Sequence, residues 1–494
     1  MKGAMKGAKR IIAALEEAGC DAYMVGGSVR DKLLGRACHD IDITTSAGTY
    51  EIECVAKAHG WGCKGVGRAF GCMVVLVGKH AYEVTSFRGE VYAGDGHRPT
   101  QVIYGVSLEE DVKRRDFTIN GMVMTAEGEV IDLVGGQADL AARVIRCIGD
   151  GRERFAEDAL RAFRACRFAA QLDFDLDEEI VPAIRENLHR VSGLSLNRVR
   201  TELEKTLLAD NSSRGLAMMM ACGLLDASAK LRMKKREEAV PILPELHHLV
   251  GLEQNTKYHA HDAWGHTLAV VDALPQDLVV RWAGLLHDVA KGLDGIRGEK
   301  NGQPTDYGHA ERGAEIARKI LIRLGYSGAM AKQVAWLVRE HMGMAPDAGK
   351  KTVRWLRARA DGFKNKSELL EGLGRLQALL RADDIGTGRE HEVGRDTLFA
   401  EVVRVAKETP LYTGELAITG KDLVPIVGEG VAIREQMERL LTRVITGELA
   451  NEKDELLAAT EKYVERKKQE KQKEQEEPKE CLQAGEGDCG ENAS

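Results

Sequence analysis

The sequence predicts an α+β protein in which a mixed-sheet head precedes a chain of helices. Three observations carry that expectation. Over residues 1–150, apolar strand-like runs alternate with short helical stretches. From about residue 151 the apolar positions take helical spacing instead. The length, 494 residues, exceeds what one core serves and suggests about three domains.

Composition narrows the class. With 44% hydrophobic and 30% charged residues the chain reads as an ordinary folded protein. No run reaches the roughly 18 apolar residues of a spanning helix, so no membrane partner is expected. Basic residues open the chain, but the apolar stretch 11–15 is broken by Glu16 and Glu17, as in an amphipathic helix rather than a leader. Ten cysteines without tight paired spacing fit free thiols and a cytoplasmic location. A net charge of −7 argues against a generally basic coat. Local basic surface still sets any attraction to a polynucleotide.

In the head, residues 24–31 read as a strand end, a Gly26-Gly27 turn and a helix from about Ser28, with Arg30 and Asp31 in its first turn. Glycines let backbone N–H groups approach phosphate, and a helix start adds its positive end. Asp40 and Asp42 follow on an expected strand, where positions i and i+2 share a face. Two carboxylates held together repel, and Mg²⁺, bound by one or two carboxylates plus nucleotide phosphates, relieves that. Cys72–Val77 and residues 81–85 read as neighbouring strands joined by a turn at 78–80. Glu83, on the second, is a candidate third carboxylate.

Lys113, Arg114 and Arg115 stand before an apolar helix, where an arginine can grip triphosphate from the side opposite the glycine turn. A helix over 153–168 places Asp158 and Arg161 at i,i+3, with Arg164 and Arg167 continuing the face. A carboxylate accepts from an exocyclic amine while a guanidinium donates to a ring nitrogen. Cytosine and adenine match that pair on their pairing edges; uracil and guanine leave buried polar groups unpaired. Further helices are expected over 177–190 and 199–208, then a break between modules at 239–244.

Residues 245–345 carry most of the histidines on helices: His266, the adjacent His287-Asp288, His309 and His341. An unpaired aspartate inside an apolar helix is expensive, and imidazole with carboxylate suits Mn²⁺, Ni²⁺, Co²⁺ or Fe²⁺. Residues 346–465 form a further helical region, with 413–414 and 419–422 as loops or helix starts and a basic stripe over 350–359 that includes Trp355. Beyond 466, mixed charges and a Gly/Ser/Asn ending predict a frayed helix and a disordered tail.

Residues 26–31 with Asp40 and Asp42, residues 114–120, and residues 157–161 together resemble the metal and triphosphate motif, the second motif and the amino-acid template of class II tRNA nucleotidyltransferases, the CCA-adding enzymes. These are a branch of the polymerase-β-type superfamily that also contains bacterial poly(A) polymerases. The resemblance is close over about residues 20–170. It implies a polymerase-β-type head over 1–150, a helical neck over 151–240 and a body and tail over 346–465 that hold tRNA. It implies that Gly27 and Arg30 contact triphosphate, that Asp40 and Asp42 hold Mg²⁺, and that Arg115, Arg164 and Arg167 line the nucleotide site. Asp158 and Arg161 would read the base. The partners implied are CTP, ATP and the 3′ acceptor end of tRNA, with no DNA. Residues 87–99 resemble the loop by which full CCA enzymes switch from C to A. The histidine region resembles the HD phosphohydrolases, whose pattern is His…His-Asp…Asp. His266, His287 and Asp288 match it, Asp383 is the fourth ligand, and His309 with His341 offer a second metal position. Two alternatives stand beside CCA addition: a poly(A) polymerase, and an HD phosphohydrolase with an accessory head.

Overall fold

The amphipathic helix expected at the start is α1 (Lys2–Glu17), whose Ile11, Ile12 and Leu15 are buried. It lies on the head sheet, where the Tyr82 hydroxyl donates to the Ala4 carbonyl at 2.7 Å. The absent side chain of Gly7 leaves room for that ring. This is a computed structural model, and it describes residues 2–38, 40–92, 100–233, 236–343, 350–388 and 394–476.

The head continues through β1 (Ala22–Val25), α2 (Gly27–Leu33), β2 (Asp42–Thr45), α3 (Thr49–Ala58), β3 (Gly62–Gly67), β4 (Cys72–Val77), β5 (His80–Ser86), β6 (Arg88–Val91), β7 (Gln101–Tyr104), α4 (Leu108–Lys113), β8 (Val123–Met124) and β9 (Val130–Ile131). Seven strands form one mixed sheet in the order β3-β4-β5-β2-β1-β8-β9. β2 and β5 pair in parallel, and the neighbouring pairs are antiparallel. Tyr82 and Val84 of β5 are buried while Glu83 between them is exposed, the alternation of a sheet with one covered face. The hairpin expected around 78–80 is the β4–β5 connection.

The expected helix over 153–168 is broken. α5 (Gly136–Ala142) precedes α6 (Gly151–Glu157), Asp158 is extended at φ −144° and ψ 102°, and α7 (Leu160–Leu172) begins anew. Asp158 and Arg161 therefore flank a helix start rather than share a continuous face. The expected helix over 177–190 is α8 (Ile180–Glu186) followed by a 3₁₀ turn, Leu188–Gly193. α9 (Leu196–Leu207) and α10 (Ser212–Ala221) pack with α7. The module break expected at 239–244 is instead partly a strand. Residues Arg236–Pro241 pair antiparallel with Ser228–Met233, so local hydrogen bonding overrides the proline signal at the strand's end.

The histidine region contains α11 (Ala263–Ala273), α12 (Leu278–Leu286), a small antiparallel hairpin (Arg297–Lys300 with Gln303–Asp306), α13 (His309–Arg323) and α14 (Gly328–Glu340). The chain forms two compact units, one of residues 1–342 and 378–391, the other of 343–377 and 392–494. Asp383, near the end of a helix Lys366–Gly386, belongs to the first unit with the histidines. In the second unit Leu423, Leu440, Leu441 and Leu456 form a buried core. The basic stripe lies on the helix Lys350–Ala360, where Arg357 is paired with Asp361 and Glu438 and Arg359 stacks on Trp355 at 3.9 Å. The final helix continues to Glu476; the rest of the expected tail lies outside the described residues.

No helix among the described residues is long and apolar enough to cross a membrane. The eight cysteines described are free thiols.

Candidate active site

Gly26 ends β1 with φ 74° and ψ −140°, a conformation closed to side chains, and its turn delivers Arg30 to a cavity of about 670 Å³. Asp42 also lines the cavity, as do all seven residues expected to contact nucleotide: Gly27, Arg30, Arg115, Asp158, Arg161, Arg164 and Arg167. Asp40 does not line it; it is exposed and lies two residues ahead of β2, so the two aspartates do not share one strand.

The partner for Asp42 comes from the neighbouring strand. Glu83 stands directly opposite it in the parallel β2–β5 register, which puts both carboxylates on one face. Burial first, then the Glu83 charge, pushes the Asp42 carboxyl up to about 6. A half-buried carboxylate facing another is the electrostatic situation a divalent cation relieves, and oxygen donors of this kind suit Mg²⁺.

The cavity's cations are positioned by carboxylates of the chain. Asp111, fully buried, accepts from Arg114 at 2.6 Å, from Arg115 at 2.9 Å and from the Thr44 hydroxyl of β2 at 3.1 Å. Asp116 accepts from Arg164 through Nε at 2.8 Å and Nη2 at 2.5 Å, and from the Phe117 amide. Burial would raise Asp116, but Arg164 wins and holds its carboxyl down at about 2. Arg167 is paired with Glu202 at 2.5 Å, and Arg30 donates to Asn120 at 2.7 Å. Arg30, Arg164 and Arg167 surround the Phe168 ring at 5.1, 5.4 and 3.9 Å from its centre. One aromatic face thereby keeps three like charges in register.

Asp158 and Arg161 both face the cavity but do not pair with each other in the structure. Arg198 donates to Asp158 Oδ2 at 2.7 Å, and the Leu160 amide donates to Oδ1 at 3.1 Å. Arg161 donates to Glu157 at 2.5 Å and to the carbonyls of Arg154 and Arg114 at 3.0 and 2.7 Å. Three of a guanidinium's five N–H groups are so used, and two remain. The Asp158 oxygens also keep lone pairs. The pair can still offer an acceptor and a donor side by side. Arg198, Phe168, Asp111, Asp116 and Glu202 escaped sequence reasoning as site residues; only Asp111 had a local signal, its i+3 and i+4 spacing to Arg114 and Arg115. Of the expected switching loop, residues 87–92 run along β6 and 93–99 lie outside the described residues.

The second cluster is buried except for Asp383, which is partly exposed. His266 Nε2 lies 3.1 Å from His287 Nε2 and 3.0 Å from Asp383 Oδ1, and these three form one potential metal trio. Asp288 forms the other with His309 and His341, whose Nε2 atoms are 3.2 Å apart. His287, His309 and His341 each donate Nδ1–H to a backbone carbonyl, of Gly284, Asp306 and Val338, at 2.8, 2.6 and 2.6 Å. A carbonyl only accepts, so Nε2 is left as the lone-pair atom on each ring, aimed inward. Both Asp288 oxygens are buried and accept no aligned hydrogen bond, with the Lys291 ammonium 2.7 Å from Oδ2. Burial opposes the Asp288 charge, yet His287 and Lys291 hold it far below the usual carboxylate range. Burial pushes His341 down to about 3, the neutral form a ligand needs. These residues fit divalent metal by donor set and orphaned oxygens. Sequence reasoning named all six residues of these two trios but not Lys291, which Gln254 holds at 2.8 Å.

Comparison with known proteins supplies the family context. A family profile described as "Poly A polymerase head domain" matches residues 22–146, one described as "Probable RNA and SrmB- binding site of polymerase A" matches 173–229, and an HD domain profile matches 246–382. A CCA-adding enzyme of Streptococcus pyogenes serotype M2 (strain MGAS10270) is 40% identical over 277 residues, 55% of this chain and 65% of that protein. One from Lactobacillus delbrueckii subsp. bulgaricus is 43% identical over 231 residues, 47% of this chain and 57% of its own length. The matched region thus spans 57% to 65% of the length of these curated relatives, less than two thirds. Among solved structures, the Bacillus stearothermophilus CCA-adding enzyme in complex with CTP aligns at TM-score 0.66 and 26% identity, covering 96% of this chain and all of that one. A tRNA nucleotidyltransferase complexed with a primer tRNA and an incoming ATP analog shares the fold at TM-score 0.51 and 21% identity.

Proposed function

We propose that the chain belongs to the family of CCA-adding enzymes and poly(A) polymerases and that it adds and repairs the 3′-terminal CCA of tRNA from CTP and ATP, without a nucleic-acid template, in the cytoplasm. The observation that carries this reading is that Gly27, Arg30, Asp42, Asp158 and Arg161 all line one cavity, where the first two would meet phosphate, Asp42 the metal and the last two the base.

Asp42, with Asp40 and Glu83 as further donors, would hold Mg²⁺, which when bound supplies Lewis-acid activation of the tRNA 3′-hydroxyl and charge neutralisation at the phosphates. The chain itself does the rest. Gly26 and Gly27 bring backbone close to the triphosphate, and Arg30, Arg115 and Arg164 neutralise it, held in place by Asn120, Asp111 and Asp116. Asp158 accepts the exocyclic amine of C or A, and Arg161 donates to the ring nitrogen. Arg198 steadies the aspartate, and the Arg114 carbonyl steadies the arginine. U and G would leave these buried groups facing their like.

The test incubates the purified protein with tRNAs ending before, within and after CCA, with CTP and ATP singly and together. CCA completion that stops is expected. Long A-tails on unrelated RNA would convert the reading to poly(A) polymerase, and UTP incorporated as readily as CTP would refute the Asp158/Arg161 assignment.

A second activity is favoured by the inward-facing Nε2 atoms of the histidine cluster. His266, His287 and Asp383 would hold one divalent transition metal and Asp288, His309 and His341 a second. The activity would be hydrolysis of phosphate esters, including 2′,3′-cyclic phosphates at damaged tRNA ends. Metal analysis after dialysis checks the stoichiometry, and Ni²⁺- or Mn²⁺-dependent release of phosphate checks the activity.

A further inference from the structure

Phe70 lines the nucleotide cavity, yet phosphate binding, metal binding and base reading all leave it unused. Its ring is 52% exposed. Leaving a phenyl ring in water forgoes burial free energy, and the surrounding chain keeps it there. The 3₁₀ turn Arg68–Phe70 joins β3 to β4 and is closed by Gly71 at φ 75°. A Cβ at Gly71 would be strained and would meet the Tyr104 ring at 2.6 Å. From β7 the Tyr104 hydroxyl donates to the Ala69 carbonyl at 3.1 Å, and from β6 the Arg88 guanidinium donates to the carbonyl of Phe70 itself. Arg88 is in turn paired with Glu90 at 2.8 Å, and Glu90 with Arg114 at 3.1 Å. The backbone that carries the exposed ring is therefore tied to the charge network of the cavity wall.

Its place along the sheet says what it faces. β1, β2, β5 and β4 lie side by side in that order. The phosphate turn follows β1, Asp42 starts β2, Glu83 is on β5, and Phe70 immediately precedes Gly71 and β4. In phosphoryl and nucleotidyl transfer the attacking and leaving oxygens are roughly in line. If pyrophosphate leaves on the β1 side of Asp42, the attacking hydroxyl arrives from the β5–β4 side, and Phe70 stands on that side of the cavity, beyond the level of Cys72, Thr85 and Thr44.

We infer that Phe70 is the stacking platform for the terminal base of the RNA primer, a positioning residue that sets the 3′-hydroxyl against the bound nucleotide. This rests on the nucleotidyl-transfer reading. A primer being extended presents a new terminal base after each addition. A hydrogen-bonding pocket suits one base only, whereas every base has a π-face, so an aromatic ring serves each in turn.

The test varies tRNA lacking its CCA end at saturating CTP, then CTP at saturating tRNA, in the full chain. Phe70→Leu keeps apolar bulk but removes the ring. It should raise KM for tRNA by about tenfold or more, as loss of one base–aromatic stack does, and leave KM for CTP unchanged. Phe70→Trp should restore the wild-type value. Independently, 2-aminopurine at the 3′ end of the primer tRNA should be quenched on binding without nucleotide, and the quenching should be lost in Phe70→Leu. A rise in KM for CTP alone would assign the ring to the incoming base and overturn the inference; unchanged kinetics and retained quenching would do so too. If the wild-type protein adds no nucleotide to any tRNA, the transfer reading fails instead. The quenching measurement needs no turnover and still judges the stack.

Discussion

The nucleotide cavity and the histidine–aspartate cluster solve opposite electrostatic problems. In the cavity the excess charge is positive and each arginine is aimed by a carboxylate of the chain, as Arg164 is by Asp116 and Arg167 by Glu202. Such a site is open and polar, suited to a polyanion that enters and leaves. In the cluster four imidazoles and two aspartates converge, with Lys291 the cation against Asp288, and all but Asp383 are buried. Backbone carbonyls behind three of the four rings, those of His287, His309 and His341, fix their tautomers. That site is suited to a resident ion. The lesson lies in what does the aiming: side-chain charge where the guest is transient, backbone carbonyls where it stays.

Paired substitutions separate the two most sharply. Asp42→Ala should reduce nucleotide addition by about 10³-fold or more, since it removes a metal-holding carboxylate. Metal bound at the histidine cluster should be unchanged. His287→Ala should do the reverse, lowering bound transition metal while CTP and ATP addition proceeds at the wild-type rate. Loss of both functions in either variant would mean the regions are not independent.

Asp116→Asn tests whether the cavity's arginines need their carboxylates. With Arg164 left unbalanced but partly solvated, about 2 kcal/mol of stability should be lost, read from urea unfolding. KM for CTP should rise by about tenfold, the effect of one misplaced charge-assisted contact. A variant with unchanged KM would show that Arg164 finds its place without Asp116.

Arg198→Ala probes the base end. Asp158 would keep only its Leu160 amide contact. The preference for CTP over UTP should therefore fall by about fivefold, measured as the ratio of kcat/KM values. Retained discrimination would remove Arg198 from the reading of the base.

The smallest effect is expected at Gly71→Ala, where a positive φ and the nearby Tyr104 ring should cost about 1–2 kcal/mol in thermal unfolding.

Much of both sites was legible because their chemistry is written in short spacings. The glycine turn, Arg30 and Asp42 lie within 17 residues of one another, and the His287-Asp288 step is contiguous. The helix from 153 to 168 was misread because Asp158 is a poor helix former whose carboxylate prefers the Leu160 amide. Residues 239–244 read as a break between modules, although 239–241 end the strand Arg236–Pro241, because its pairing with Ser228–Met233 is a tertiary gain invisible to local propensity. The sequence assigns residues 245–345 to one domain with a fourth ligand candidate near 383, and the chain does return to that unit at 378–391 after an excursion through the second.

By itself the sequence determined the residue types: carboxylates of the kind a hard cation takes, an acceptor and a donor of the kind a base edge takes, and imidazoles with carboxylates of the kind a softer metal takes. Tertiary structure alone decided the pairings. It set Glu83 against Asp42 by strand register, gave Asp158 to Arg198 rather than to Arg161, and turned Phe70 outward at the cavity. The reason is physical. Donor type and charge are properties of single side chains, while a partner's identity depends on contacts between segments 18 to 41 residues apart in these cases, which no local spacing encodes.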